Sequence, residues 1–147
     1  MPAVFTIGYQ ESTPDAVIGT LATAGVGLLV DVRAVAASRR PGFSKRQLAA
    51  GVATVGIDYR HLRGLGTPAD GRLAARTGRY GDMRRIFETH LATDAAKAEL
   101  DELAALVAGG VPLCLLCFER HADHCHRRIL GEKLAERLGV EVVDLLP

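Results

Sequence analysis

The chain has 147 residues, 48% hydrophobic and 24% charged, with a formal net charge of +1. That composition is ordinary for a globular chain, excludes a disordered or collagen-like one, and at this length favours one domain spanning residues 1–147. No apolar run approaches the ~20 residues of a membrane span, and MPAVFTIGYQ at the start lacks the basic flank and long apolar core of a secretory leader.

The elements alternate. Val4–Ile7 predicts a strand closed by Gly8, and Ser12-Thr13-Pro14-Asp15 predicts a helix start with a hydroxyl cap, an early proline and a carboxylate at the positive end of the dipole. Val17, Ile18 and Leu21 give that helix its apolar face, and Gly25 ends it. Leu28–Val32 predicts a buried strand. Ser44 caps a second helix carrying Leu48, Ala49 and Val52, and Ile57–Leu62 predicts a third strand. A Gly/Arg-rich connection from Arg63 to Gly81 reads as a long loop lying over the same sheet end as His61 and Cys117.

Helical periods follow over Asp82–Leu91 and Asp94–Val107, the second stopped by Gly109-Gly110. Val111–Cys117 is a continuous apolar run, as expected of a strand covered on both faces. A helix over Cys125–Leu138 and a strand over Val140–Asp144 close the chain. Strands separated by helices predict a three-layer, Rossmann-like α/β domain with a mainly parallel five-stranded sheet. The expected order is 3-2-1-4-5.

In such sheets ligands bind beyond the carboxyl ends of the strands. The unusual polar residues fall there: Gly8 and Tyr9 after the first strand, Arg33 after the second, His61 at the end of the third, Cys117 and Glu119 at the end of the fourth. The opposite ends are mostly simple turns. From Arg33 to Arg85 twelve basic residues face three acids, and the remainder after Arg85 is acidic. This asymmetry fits either a basic face for an anionic ligand or a solvated arginine-rich surface.

The segment CFERHADHCHRR, Cys117–Arg128, concentrates two cysteines, three histidines and three arginines. Cys125 and His126 stand at a helix N-terminus, where unpaired N–H groups favour anions and can depress a thiol pKa. Cys125 is therefore the first candidate nucleophile and Cys117 the second, with Cys114 a small buried hydrophobe. Arg127 shares a meridian with Leu130, Leu134 and Leu138. It either projects toward a ligand or pairs with a carboxylate such as Asp31 or Glu119 to hold the loop. The Cys/His spacing matches no zinc finger or ribbon, so the reading includes no metal and no cofactor. Three cysteines are an odd, sparse set, which argues against a disulfide framework and for reduced thiols in the cytoplasm.

TIGY (Thr6–Tyr9), VDVR (Val30–Arg33), SRRPGFSK (Ser38–Lys45), HLRGLG (His61–Gly66), RYGDM (Arg79–Met83) and LLCFE…CHRRIL (Leu115–Leu130) occur in this order. In them the chain resembles the DUF488 family of small bacterial and archaeal proteins. The resemblance implies the α/β fold and supplies no established reaction. Tyr9 stands where family members often have His, and Arg63 where they often have Pro. VDVR and a cysteine at a later strand end are also similar, at the level of fold analogy, to rhodanese-type sulfurtransferases.

Three functions compete. The first is an enzyme for a phosphate-bearing or otherwise anionic substrate: Arg33, Arg39, Arg40 and Arg127 bind charge, His61 or His126 moves protons, Cys125 or Cys117 is the thiol, and Glu119 orients a partner. The second is a nucleic-acid module using the arginine excess with Phe43, Tyr59 and Tyr80 as stacking surfaces. The third is a redox- or metal-sensing thiol protein. The expected partner is thus an anionic small molecule or nucleic acid, not a membrane.

Overall fold

The computed structural model describes residues 3–147. Its strands are β1 (Val4–Gly8), β2 (Leu28–Asp31), β3 (Asp58–His61), β4 (Leu113–Cys117) and β5 (Val142–Leu145). Its helices are α1 (Pro14–Thr23), α2 (Lys45–Ala53), α3 (Ala69–Arg76), α4 (Tyr80–Leu91), α5 (Asp94–Ala108) and α6 (His126–Leu138). Two 3-10 turns, Arg63–Leu65 and Ala122–His124, sit in the connections.

All five strands are parallel, in the order β3-β2-β4-β1-β5. The expected order exchanged β1 and β4. β4, reading LCLLC, is buried at all five positions and takes the centre of the sheet. β1 sits one place outward, between β4 and β5, where Thr6 Oγ1 donates to Asp144 Oδ1 of β5 at 2.5 Å across an adjacent pair in register. A polar side chain in a fully buried strand costs several kcal/mol unless such a bond is made.

Alternation along the strands splits the core in two. Leu29, Cys114, Leu116 and Ile7 pack with Val17 and Leu21 of α1 and Leu48 and Val52 of α2. Val30, Leu113, Leu115 and Val4 pack with Phe87 of α4, Leu103 and Val107 of α5, and Ile129, Leu130 and Leu134 of α6. Helices therefore cover both faces.

Local signals place most ends. Thr13, not Ser12, caps α1, accepting from Ala16 N at 3.2 Å, with Pro14 following it. Ser44 precedes α2 but turns its hydroxyl to Ser38, accepting from Ser38 N at 3.0 Å. Gly139, at φ 69°, ends α6 in the left-handed region.

The connection expected as a long loop is largely helical. α3 (ADGRLAAR) consists mostly of good helix formers, but it is short and buries only Gly71 and Ala74, so it lacks the stripe of large apolar residues by which the other helices are read. Gly71 is there for closeness: a Cβ would meet Thr67 Cγ2 at 2.4 Å and Ile86 Cγ2 of α4 at 3.2 Å. The segment does cover the carboxyl ends of the strands, as expected.

Candidate functional site

The carboxyl ends of β1, β2 and β4 open into a cavity of about 190 Å³. Tyr9, Arg33 and Cys117 reach it from the sheet, Glu119, His124, Cys125 and His126 from the β4–α6 connection and α6, and Arg72 and Arg76 from α3. Sequence reasoning missed the two α3 arginines, because one dense run of arginines hid which of them share a face. Neither has an acidic partner among the described residues. Arg72 Nη1 donates to Thr67 O at 2.8 Å, and Arg76 is exposed.

Cys117 and Cys125 are joined as a disulfide, eight residues apart. This corrects the expectation of no disulfide. Counting cysteines looks for links between distant segments, whereas here the loop turns back so that the end of β4 meets the start of α6. Cys114 stays free and buried, facing the α1–α2 side, and burial pushes its thiol pKa up.

The loop owes its position to Gly8. A Cβ there would lie 1.7 Å from Glu119 O, so only a residue without one lets the loop cross the end of β1 this closely. Arg127 fastens it from below. Its guanidinium is 0% exposed and donates Nε to Thr6 Oγ1 (3.1 Å), Nη1 to Glu119 O (2.5 Å) and to Cys117 Sγ (2.9 Å), and Nη2 to Arg120 O (3.1 Å). Burial pulls its pKa below the ordinary arginine value. Arg127 thus holds the loop, through backbone carbonyls rather than through the carboxylate considered from sequence, and does not line the cavity.

His126 is also buried. Its Nε2 lies 2.7 Å from Val32 O, which can only accept, so Nε2 carries the proton and Nδ1 presents a lone pair to Cys125 Sγ at 3.5 Å. Burial drives its pKa down to about 4, against the opposing pull of the Val32 hydrogen bond. At neutral pH it is an uncharged acceptor. Glu119 Oε2 lies 3.6 Å from Cys117 Sγ, and burial raises its carboxyl pKa despite its own backbone hydrogen bond and Arg127.

Arg33 lines the cavity but is already paired. It grips Asp31 with Nε (2.9 Å) and Nη2 (2.7 Å) and donates Nη1 to Phe43 O (2.8 Å) and Tyr9 Oη (3.2 Å). Burial lowers its pKa, but the hydrogen bond and charge of Asp31 outweigh that and hold it above the ordinary value. Tyr59 donates its hydroxyl to the same carboxylate. Tyr9 stacks on Phe43 at 4.4 Å and meets Phe118 edge-on.

The remaining candidates lie apart from the cavity. His61 Nε2 bonds Arg33 O at 2.7 Å. Arg40 donates Nη1 to Tyr9 O at 2.8 Å and Nη2 to Ser12 O, and Arg39 is exposed on the same connection. Of the aromatics considered for stacking bases, Phe43 is fully buried and Tyr59 is bound to Asp31, which leaves Tyr80, itself stacked on His124 at 4.2 Å.

Cys117 Sγ, a Glu119 oxygen and Cys125 Sγ lie within 4.8 Å of one another, three donors of the kind a borderline cation takes. One fact weighs against a cation there: the Arg127 charge stands 2.9 Å from one donor.

Fold and site together define a parallel α/β protein with a paired-cysteine cavity at the carboxyl edge of its sheet. The family model described as "Domain of unknown function DUF488" matches residues 13–134, and the chain belongs to that family. No curated protein and no solved structure matches it. No helix among the described residues is long and apolar enough to cross a membrane.

Proposed function

We propose that the protein is an enzyme performing thiol–disulfide exchange on a small anionic substrate. The observation that carries this is the meeting of Cys117 and Cys125 in a cavity whose wall bears two arginines, Arg72 and Arg76, that make no ion pair among the described residues. Guanidinium groups match carboxylate and phosphate oxygens. The substrate's charge settles against α3 while its sulfur faces the cysteine pair.

The surrounding groups suit the chemistry. His126 Nδ1 is placed to take the Cys125 proton, and its Nε2–H is fixed on Val32 O, so the ring cannot turn away. Glu119 stands beside Cys117 to accept or return a proton. Tyr9 and Arg33, locked to Phe43 and Asp31, form a rigid wall. In one half-reaction two protein thiols become one disulfide while one substrate disulfide becomes two thiols, and a second thiol substrate, itself oxidised to a disulfide, returns the pair to two thiols.

The test uses reduced protein with two disulfides of opposite charge, glutathione disulfide and cystamine. Glutathione disulfide should oxidise the pair at least about tenfold faster, as charge steering predicts. The product should have lost two hydrogens and carry no adduct. Arg72→Ala with Arg76→Ala should remove the preference. Equal rates for the two disulfides, or a persistent mixed disulfide, would refute the reading.

A further inference from the structure

Arg127 is the largest fully buried side chain among the described residues, and none of its hydrogen-bond acceptors carries a formal charge. Thr6 Oγ1 and the carbonyls of Glu119 and Arg120 solvate it without neutralising it. Asp144 is reached only through Thr6 and is exposed. The Glu119 carboxyl contacts the Cys117 sulfur rather than the guanidinium. The carboxylates of Asp144 and Glu119 act on the guanidinium by charge without bonding to it, and burial outweighs their pull, which makes this buried cation an expensive one.

One acceptor can change its charge. Cys117 Sγ lies 2.9 Å from Arg127 Nη1 and is neutral in the disulfide. Reduction turns it into a group that can ionise, and a thiolate accepts far more strongly than a thiol. Cys125 has only the N-terminus of α6 to favour its thiolate, and its sulfur faces an uncharged imidazole.

We propose that in the reduced protein Cys117 is held as a thiolate, the anionic partner of the buried Arg127, and that Cys117 rather than Cys125 makes the first attack on substrate. The second clause rests on the thiol-exchange reading; the first does not. Cys117 S–H gives its proton to the Glu119 carboxylate. The thiolate attacks one sulfur of a substrate R–S–S–R′, and the S–S bond breaks with its electron pair leaving on R′–S⁻, which takes the proton from Glu119. Cys125 then yields its proton to His126 Nδ1, and its thiolate displaces R–S⁻ from the mixed disulfide. R–S⁻ takes that proton, and the Cys117–Cys125 bond forms. Arg127 thereby loses its anion, so the pair favours the reduced state and the disulfide is an oxidising one.

The groups that touch the Cys117 sulfur are Arg127 and Cys125 on the α6 side and Glu119 in the loop, and His126 reaches it only through Cys125. Asp144 of β5 acts at one remove, and the charge of Arg76 on α3 falls on Glu119.

Two single variants decide the matter, Cys125→Ser and Cys117→Ser, each reduced and titrated by its ultraviolet thiolate absorbance. Cys125→Ser should show one thiolate ionising at least about one pH unit below an ordinary cysteine, and should react with iodoacetamide about tenfold faster than its unfolded form. Cys117→Ser should show neither. In the Cys125→Ser background, Arg127→Lys should keep the thiolate and a folded Arg127→Met should lose it. A low-pKa thiolate that survives in Cys117→Ser, or is absent from both variants, overturns the proposal whether or not Arg127→Met folds. A Cys117 thiolate in a protein that ignores disulfide substrates would keep the ion pair and refute only the exchange reading with its order of attack.

Discussion

Two arginines are buried at the same end of the sheet, and they are built differently. Arg33 closes on Asp31 with a two-pronged ion pair, reinforced by Phe43 O, Tyr9 and Tyr59. Arg127 has a comparable number of hydrogen bonds but a hydroxyl, two carbonyls and a sulfur as acceptors. The first charge is satisfied in any state of the protein. The second is satisfied according to the state of Cys117. Burial alone therefore does not separate a structural arginine from a chemical one; the charge of its acceptors does.

Breaking the closed pair should have the largest effect. Asp31→Asn leaves Arg33 buried with no anion and should destabilise the protein by about 3–5 kcal/mol, equally in oxidised and reduced protein, as measured by urea unfolding. A redox-dependent loss would mean that Asp31 also serves the Cys117 region.

The region around Arg127 should instead respond to acid through His126. Its folded pKa of about 4 lies below the unfolded value of 6.5. The unfolded chain thus binds the proton first, and stability falls as pH drops from about 6.5 to about 4. At about 1.4 kcal/mol per pKa unit the loss is roughly 3 kcal/mol. His126→Asn should flatten this limb of the stability curve; an unchanged acid limb would place the titrating group elsewhere.

The smallest effect is expected just outside, at the exposed pair between Arg128 and Asp123, with side chains 49% and 70% exposed. Arg128→Ala should cost between about 0 and 1 kcal/mol and leave glutathione disulfide exchange unchanged. A loss of exchange would extend the site around the helix to its solvent face.

Much of this was legible in the sequence, for physical reasons that also mark where legibility stopped. The LCLLC run announced a strand buried on both faces, and turn residues placed most boundaries within a residue or two. Strand order was not legible, because the polar link between Thr6 and Asp144 spans 138 residues and leaves no local trace. α3 was not read either: its good helix formers stand in a glycine- and arginine-rich connection, and it buries no large apolar residue that would mark a core-facing helix. At the site, helix periodicity did put Arg127 on the core side of α6. It did not say what the guanidinium would meet, since Glu119 O and Arg120 O are backbone atoms that every residue possesses. Cys117 and Cys125 were singled out separately by their strand end and helix start. Their union depends on how far the loop sinks toward the sheet.

That depth is set at Gly8, where the atom that matters is one the residue lacks. The place a side chain would begin is already filled by the Glu119 carbonyl oxygen. In a library with every amino acid at every position, Gly8 should accept no replacement, not even alanine, without lifting the loop and parting Glu119 O from Arg127. Its neighbour Tyr9 answers to a different demand, a flat ring against Phe43 and a hydroxyl beside Arg33, which phenylalanine meets in part. Adjacent letters of one short motif should therefore show opposite tolerance: one fixed by space, the other negotiable by chemistry.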